Sequence, residues 1–574
     1  MIPGKPIRLF AVIGLVVSCL GMVALRAQQE VDAPPPVPPV AETPPGVSTN
    51  PVDRSQLLYI KEYRVLGSHH LSRTEIEKAV YPFMGPERTT DDVEQARTAL
   101  EKAIQDKGYQ TVAVQVPQQT GRRGIVFLQV VEAKVGRLTV EGARFFSLDA
   151  IKKKVPSLQP GSVPDFNKVS KEILALNQWT DRQVIPTLVP GFEPGTVDVN
   201  LKVKDTLPWH GSAEYNNRYS PGTPMNRLNF ASSYDNLWQL GHSIGASYQT
   251  SPANPSVVQN WSVFYTARIP MVDWLKANFS YSSQNSVSTV GGGASFGNGN
   301  IKGFRLLAAL PNNGEKGFSH NLSAGFDLMN QTQVSQLPEG GNNISTPVFY
   351  TPLRLNYDAV YAPDTNGITI FDAGLSCGQR GAIVITGNVS GNFNYSDQFA
   401  AARQGADAGF FVLKGDLSHT HELPEGFQIF GKVQGQYSPE PLIFSEQFAG
   451  GGLDTCRGYL EGTVAGDSAA FGSLELRSPL LMRGHVGIDE WRVYSFFDGG
   501  AVCNVPVAGA PTVSQYTLAA YGFGTRARIF SGLNASLDVG VPLNSQPTAA
   551  PGSTPNPSVL AWSPLWTFRF FGEF

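Results

Sequence analysis

Charge is scarce in this sequence. Only 16% of the 574 residues are charged, and the formal net charge is −3. A nucleic-acid-binding surface needs Lys and Arg concentrated on one face or segment, and this composition offers no such footprint. The sequence therefore excludes nucleic acid as a partner.

Cysteine and catalytic motifs are also scarce. Three cysteines, Cys377, Cys456 and Cys503, follow the N-terminal region, and they show none of the close spacings of a zinc or redox motif. No Walker-type glycine loop or nucleophilic serine elbow is found, and the eight histidines give no Ser-His-acid spacing. We therefore expect no metal site, no cofactor and no enzymatic activity.

Long apolar runs are confined to the N-terminus. Basic residues precede the run from Leu9 to Leu25 and Ala27 follows it, an order typical of a secretory signal peptide comprising residues 1–27. An uncleaved anchor helix and a lipoprotein signal ending at Cys19 remain as alternatives, and all three export the chain. No later stretch is long and apolar enough for a membrane helix, so passage through a bilayer would require a closed barrel.

Residues 28–56 are a Pro-rich spacer, and one order of elements then occurs twice. Residues 57–132 and 133–206 each predict strand, helix, helix, strand, strand, which indicates an internal repeat of two small α+β domains. In the first copy, Ser72 and Glu75 form a capping box, and apolar residues recur at helical spacing after Thr90. The predicted elements are a strand from Leu58, helices from Ser72 to about Met84 and from Thr90 to before Gly108, and strands Tyr109–Val116 and Gly124–Val131; then strand Val135–Glu141, helices Leu148–Val155 and Phe166–Leu176, and strands Gln183–Val189 and Thr196–Val203.

Residues 207–574 lack helical periodicity and instead alternate apolar and polar residues in segments of about ten, as in Phe318–Leu328. About 17 segments show this alternating pattern. Because bacterial single-chain barrels have an even number of strands, we predict a 16-stranded antiparallel transmembrane β-barrel and one segment that is a loop. The segments are Trp209–Tyr219, Arg227–Leu237, His242–Tyr248, Ser262–Ile269, Trp274–Tyr281, Lys302–Leu310, Phe318–Leu328, Pro352–Tyr361, Thr369–Cys377, Ala382–Tyr395, Gly409–Leu417, Gln428–Tyr437, Phe471–Leu480, Trp491–Val502, Tyr516–Ile529, Leu533–Val541 and Leu560–Phe574.

The last segment is rich in aromatic residues on alternate positions. Phe570 and Phe574 would face outer-membrane lipid and be presented to the barrel-assembly machinery, while the strand itself closes the barrel against the first. A soluble β domain would not explain this pattern. We therefore predict that Phe570 and Phe574 form a barrel assembly signal.

The segment from Glu446 to Pro479 carries the motifs that identify the chain. It contains a triple glycine ending at Gly452, the triplet Arg457-Gly458-Tyr459, the pair Gly466-Asp467 and the run Glu475-Leu476-Arg477-Ser478-Pro479. Further along, Phe496, Asp498 and Gly500 recur at a spacing of two residues, which puts them on one face of a strand.

With these motifs, the chain from about Leu58 to Phe574 resembles the outer-membrane transporters of two-partner secretion, the haemolysin secretion/activation type. Their superfamily also contains the BamA barrel-assembly proteins. The resemblance implies two periplasmic POTRA (polypeptide-transport-associated) domains and a monomeric barrel in the outer membrane of a Gram-negative bacterium. It also implies an exported haemolysin-like or adhesin-like partner polypeptide.

In that family the sixth extracellular loop folds back into the barrel. The resemblance implies that Arg457, Gly458 and Tyr459 form the tip of this loop, and that Arg457 meets Asp498 of the wall motif Phe496-x-Asp498-x-Gly500. A guanidinium and a carboxylate in a confined lumen can form a bidentate contact. The tip would then gate the pore as a latch.

The chain departs from the family pattern in three places. Cys456 replaces the usual Val or Ile, and it either packs as a small apolar residue or reaches Cys503 in a disulfide. Ser468-Ala469 replaces a small Gly-containing segment. The Pro-rich spacer leaves little room for the plug helix that the family often has.

Two rival functions remain at this point. The first is an insertase of the BamA type, although two POTRA-like units favour the secretion branch. The second is a passive porin, in which periplasmic units and a tucked loop would have no purpose.

Overall fold

A computed structural model describes residues 58–119, 122–177, 179, 181–270, 272, 274–286, 288–290, 294–312, 317–335, 344–363, 367–379, 395–482, 487–507, 515–530, 532–545 and 559–574. The signal peptide and the Pro-rich spacer predicted above lie outside these residues. The described chain forms an N-terminal unit that ends at Pro208 and a second unit that begins at Trp209. We describe each unit by itself.

The N-terminal unit begins with a three-stranded sheet covered by two helices. Ser72 donates its N–H to Glu75 at 2.8 Å, which caps the first helix as predicted. The second helix buries Val93, Ala96 and Leu100 against the sheet, so the apolar stripe read from the sequence is the core face. The elements are β1 (Leu58–Ile60), β2 (Glu62–Leu66), α1 (Arg73–Val80), β3 (Gly85–Arg88), α2 (Thr90–Asp106), β4 (Val112–Gln115) and β5 (Ile125–Glu132).

The second half of this unit repeats the same topology. Its elements are β6 (Lys134–Glu141), α3 (Leu148–Lys153), α4 (Phe166–Leu176), β7 (Arg182–Pro190) and β8 (Thr196–Asp205). In the three-stranded sheet of each half, the first strand (β2 or β6) runs parallel to the last (β5 or β8), and the remaining strand (β4 or β7) pairs antiparallel with the last. The sheet orders are β2-β5-β4 and β6-β8-β7. The predicted repeat is therefore present in the strand topology, while the small β1–β3 sheet was not foreseen.

The second unit is a closed antiparallel barrel. Strands β13 and β14 both pair with β15, and β17 and β18 both pair with β16, so each of these two couples is one interrupted strand. Counted in this way, the barrel has sixteen strands. The strands are β9 (Trp209–Asn216), β10 (Arg227–Leu237), β11 (His242–Thr250), β12 (Val258–Arg268), β13 (Leu275–Ser286), β14 (Ser288–Val290), β15 (Ala294–Ala309), β16 (Phe318–Ser335), β17 (Ile344–Tyr350), β18 (Leu353–Tyr361), β19 (Gly367–Cys377), β20 (Phe411–Glu422), β21 (Gln428–Tyr437), β24 (Ser468–Arg477), β25 (Ile488–Cys503), β26 (Gln515–Ile529), β27 (Leu533–Pro542) and β28 (Leu565–Glu573). Two short strands, β22 (Phe448–Gly450) and β23 (Val464–Gly466), form a separate hairpin between β21 and β24.

The predicted strand number is confirmed. Sixteen of the seventeen segments overlap the sixteen strands, although strand ends differ by several residues. The remaining segment, 382–395, lies outside the described residues except for Tyr395, which begins the helix α5 (Tyr395–Ala402). None of the helices in the described ranges has the length and apolarity to span a membrane.

The last strand closes the barrel against the first over a short register. Strand β28 pairs with β9 from Arg569 opposite Asn216 to Glu573 opposite Ser212. Phe574 then packs edge-on against Trp209, with 5.5 Å between ring centroids. The aromatic end of the chain thus lies at the closing seam.

Candidate functional site

The segment between β21 and β24, residues 438–467, folds back on itself, and we call it the tucked loop. One part of it contacts Arg354 on β18, and another contacts Asp498 on β25. Strands β19, β20, β21 and β24 separate β18 from β25 in the barrel. The groups that make these contacts are buried, with Glu446 1% and Asp498 1% exposed. A buried segment that joins two such separate strands of a closed barrel lies in its lumen.

Arg457 at the tip of the tucked loop is bound in a bidentate manner by Asp498. Its Nε and Nη2 donate to the two carboxylate oxygens at 2.7 and 2.8 Å, and its backbone N–H donates to Oδ2 at 3.0 Å. Charge-assisted bonds of this planar geometry are among the strongest in proteins. Arg457 is only 5% exposed and Asp498 only 1%, so solvent does not screen the pair.

Two more carboxylates surround the same guanidinium. Arg457 Nη1 donates to Glu475 on β24 at 2.5 Å and lies 3.6 Å from an oxygen of Asp538 on β27. The guanidinium carbon also stands 3.6 Å above the centre of the Phe496 ring, which adds a cation–π contact. The tip is thereby joined to three strands of one wall.

Further cations balance these acids. Glu475 also accepts bonds from Arg477 at 2.9 Å and from Arg526 at 3.0 Å. Tyr494 donates its hydroxyl to Asp538 at 2.7 Å. Glu475 and Asp538 thus each have a second partner on the wall, so two of the three acids around Arg457 are held in place by the barrel itself.

Gly458 and Tyr459 bring the loop backbone against the wall. Gly458 has a φ of +89°, a conformation that favours glycine, and it lies against Gly540 on β27. The Tyr459 hydroxyl is 2.7 Å from the Asn544 carbonyl oxygen and 3.1 Å from that of Ala519. The triplet therefore combines an ion pair, a backbone contact and a polar anchor.

We expect Tyr459→Phe to loosen the tip only slightly. The ring and its packing remain, while the hydroxyl proton shared by two carbonyl oxygens and the bond accepted from the Asn544 N–H are lost, each neutral bond being worth about 1 kcal/mol. Protease cleavage of the tucked loop in the folded barrel should rise severalfold over wild type. Cleavage at the wild-type rate would show that the Tyr459 hydroxyl does not help to hold the tip against the wall.

The trailing pair Gly466-Asp467 joins the tucked loop to its neighbours. Asp467 is fully buried and accepts the backbone N–H groups of Leu442 at 2.9 Å and Val505 at 2.8 Å. Arg403, which directly follows α5, forms a double contact with the same carboxylate. One aspartate thus links three of the loops at this end of the barrel.

The remaining predicted residues have other positions. Gly500 lies against the ring of Phe471, and Phe570 and Phe574 belong to the closing seam. The described cysteines are all free, so the disulfide alternative for Cys456 and Cys503 is not formed. Cys456 is instead fully buried, with its Sγ 3.8 Å from the Asp498 carbonyl oxygen.

Sequence reasoning did not assign the wall acids Glu475 and Asp538. A usable signal existed, because both are charged residues on strands whose alternate positions are apolar, and such residues face the lumen. Glu475 was quoted only as part of a motif. Its role as a partner of Arg457 follows from the barrel register, which puts Glu475 directly opposite Phe496.

A closed sixteen-stranded barrel with a tucked loop and N-terminal β-α-α-β-β modules defines a class of outer-membrane transporters. The sequence matches the haemolysin secretion/activation protein family ShlB/FhaC/HecB over residues 195–320 and 365–527, and the ShlB-type POTRA domain over residues 58–133. The chain belongs to this family of two-partner secretion transporters. Its barrel lies in the outer membrane and its POTRA region in the periplasm.

Individual relatives agree with this assignment. The outer membrane transporter CdiB of Dickeya dadantii is 22% identical over 64% of this chain and 63% of its own length. CdiB-2 of Burkholderia pseudomallei is 24% identical over 69% and 66%. The chain thus spans slightly less than two thirds of the length of these relatives.

Solved structures share the fold. CdiB from Escherichia coli superposes with a TM-score of 0.58 at 18% identity, covering 98% of each chain. BamA from Haemophilus ducreyi lacking POTRA domains 1–3 gives 0.52 at 13% identity, covering 90% of this chain and 100% of that one. The barrel is therefore BamA-like in architecture.

Proposed function

We propose that this protein moves one unfolded, β-rich partner polypeptide from the periplasm to the cell surface. The partner would be captured by the N-terminal modules, enter the barrel and fold outside. The tucked loop would close the lumen at rest and move to open the path. The observation that carries the proposal is the buried Arg457–Asp498 pair, which holds the tucked loop to the wall through the Asp498 side chain, while the loop's own two strands form a sheet separate from the barrel.

The gating role follows from the nature of this contact. A covalent or backbone-paired plug could not leave the lumen without unfolding the barrel, whereas side-chain contacts can break and re-form. A buried ion pair contributes modest net stability once desolvation is counted, yet it defines one specific arrangement. Such a contact suits a latch that holds the tip of the loop in one closed position.

The partner would be captured at the edge strands of the two three-stranded sheets, β2-β5-β4 and β6-β8-β7. We interpret the second module as a second POTRA domain because it repeats the strand order of the first. Each sheet ends in edge strands, and an edge strand can accept an extended peptide as an additional strand. On β7, Ile185, Leu188 and Val189 are 52%, 40% and 45% exposed, which supplies apolar contacts beside that edge.

One specific observation supports an insertase of the BamA type as the second candidate. The seam between β28 and β9 is paired over only five positions, whereas β25 and β26 are paired along nearly their whole length. A short seam is the place at which a barrel could accept strands of another protein.

Depletion of the protein separates the two candidates. We expect loss of surface delivery of one exported β-rich protein, which an adjacent reading frame is expected to encode, with other outer-membrane proteins at normal levels. Quantitative proteomics of isolated outer membranes and surface labelling of the partner measure both. Broad loss of outer-membrane barrels would reject secretion in favour of the insertase.

A further inference from the structure

The tucked loop is also bound at the end opposite to its Arg-Gly-Tyr tip. Glu446 lies in a short 3₁₀ turn before β22 and is only 1% exposed. Its Oε1 accepts a hydrogen bond from Tyr350 at 2.9 Å and one from Arg354 Nη2 at 2.9 Å. A buried carboxylate on a loop is costly unless it is paired, and here the partners come from β17 and β18.

Arg354 is itself held by a chain of charges on the barrel wall. Its Nε donates to Asp327 on β16 at 2.7 Å, and its Nη1 donates to Ser376 on β19 at 2.9 Å. Asp327 also accepts a bond from Arg305 on β15 at 2.7 Å. Adjacent strands thus orient the guanidinium that receives Glu446, just as the part of the wall formed by β24 to β27 orients the acids that receive Arg457.

The two clusters share no residue and lie on different walls. Tyr350, Arg354 and Asp327 belong to β16–β18, whereas the partners of Arg457 belong to β24, β25 and β27. Their polarity is also reversed. On one wall the loop supplies the cation, and on the other it supplies the anion.

We propose that Glu446 is a second positioning residue, which holds the base of the tucked loop to the β16–β18 wall independently of Arg457. The inference rests on the proposed gating function of the loop. Either anchor alone keeps the loop across the lumen for part of the time, and full opening requires both to release.

The two anchors differ in strength. Arg457 binds Asp498 through both carboxylate oxygens, but Glu446 uses Oε1 only, and its Oε2 is buried without a hydrogen-bond partner among the described residues. A monodentate contact with an unsatisfied oxygen is the weaker of the two. The base of the loop therefore releases before the tip.

The test uses the purified full-length protein in planar lipid bilayers, without any partner. The variants are Glu446→Gln, Arg457→Gln and the double variant. The carboxamide keeps an acceptor for Tyr350 but removes the charge, so Glu446→Gln should raise the ratio of open to closed time on the order of tenfold. Arg457→Gln should raise it further, and the double variant should show the product of the two increases, because sites without shared partners act additively.

Two controls separate positioning from folding. Glu425→Gln makes the same chemical change in an exposed turn between β20 and β21 and should leave the ratio unchanged. Heat-modifiable mobility on gels reports the fraction of folded barrel, which should equal wild type for every variant scored.

Three outcomes overturn the inference. They are a wild-type ratio for Glu446→Gln, a double variant no more open than Arg457→Gln, and an increase that accompanies loss of folded barrel. Because no partner is present, these results are separate from secretion. If opening follows the prediction while depletion leaves surface delivery intact, the anchor stands and the proposed function fails.

Discussion

Arg457→Ala is expected to reduce surface delivery of the partner more than tenfold while the barrel still inserts in normal amounts. The substitution leaves Asp498, Glu475 and Asp538 buried around an empty space, with their shared cation gone. Removing one member of a buried ion pair typically costs about 3–5 kcal/mol, because the remaining charge is uncompensated. The tip would leave the wall and have no fixed position in the lumen. Ions could then pass, as in the bilayer test of Arg457→Gln, but the unfastened loop would obstruct the much larger polypeptide.

The measurement compares surface-labelled partner with the amount of heat-modifiable barrel in the same outer membranes. Arg457→Lys should fall between wild type and Arg457→Ala, since an ammonium keeps the charge but cannot form the bidentate fork. Arg73→Ala is the matched control, because Arg73 is 93% exposed and its pair with Glu77 is a surface helix pair. Undiminished delivery by Arg457→Ala at a normal barrel level would refute the latch.

Periodicity was sufficient to predict the barrel. Lipid-facing and lumen-facing residues alternate along each strand, so the segments could be read one at a time, and an even strand number removed the surplus segment. The helices of the N-terminal modules were equally accessible, because caps such as Ser72 with Glu75 and stripes such as that of α2 are local signals. The small sheet of β1 and β3 was missed because Gly85–Arg88 is short and contains a proline.

The site was predictable only in part, and the reason is register. The Arg457–Asp498 pair came from motifs of a known family, whereas Glu475, Asp538 and the whole Glu446 cluster depend on which residues stand opposite each other around the barrel. A shift of one residue would move every side chain to the other face, and sequence alone does not fix the shift between strands. Asp327 holds the Arg354 guanidinium that receives Glu446 only because β16 and β18 pair with Phe326 opposite Leu353.

These contacts fasten the tucked loop at two separate places on the barrel wall. Arg457 and Glu446 bind separate parts of the wall through oppositely charged groups, and Asp467 joins the returning end to neighbouring loops. Under the proposed gating, complete opening of the lumen breaks both clusters. We therefore expect the proposed closed state to be sensitive to single substitutions in either cluster, and the strongest test of its geometry is one that leaves every charge in place.

Gly540→Ala is such a test, and we expect it to displace the tip although it touches no charged group. A Cβ on Gly540 would lie 2.4 Å from the backbone nitrogen of Gly458 and 2.8 Å from the carbonyl carbon of Arg457. These are backbone atoms, so no side-chain rotation relieves the clash. Overpacking of this kind costs about 1–3 kcal/mol, which corresponds to a rise in the open-to-closed ratio on the order of tenfold.

Gly431→Ala is the matched control, because a Cβ at that position on β21 would meet no atom within 4 Å. Bilayer recordings of both variants, with heat modifiability as the measure of folding, decide the outcome. If Gly540→Ala opens the pore as Arg457→Gln does while Gly431→Ala stays closed, the latch depends on close backbone approach as well as on charge. If Gly540→Ala gates as wild type, the ion pair alone keeps the pore closed even when the added methyl group displaces the tip. The contact between Gly458 and Gly540 is then not needed for closure.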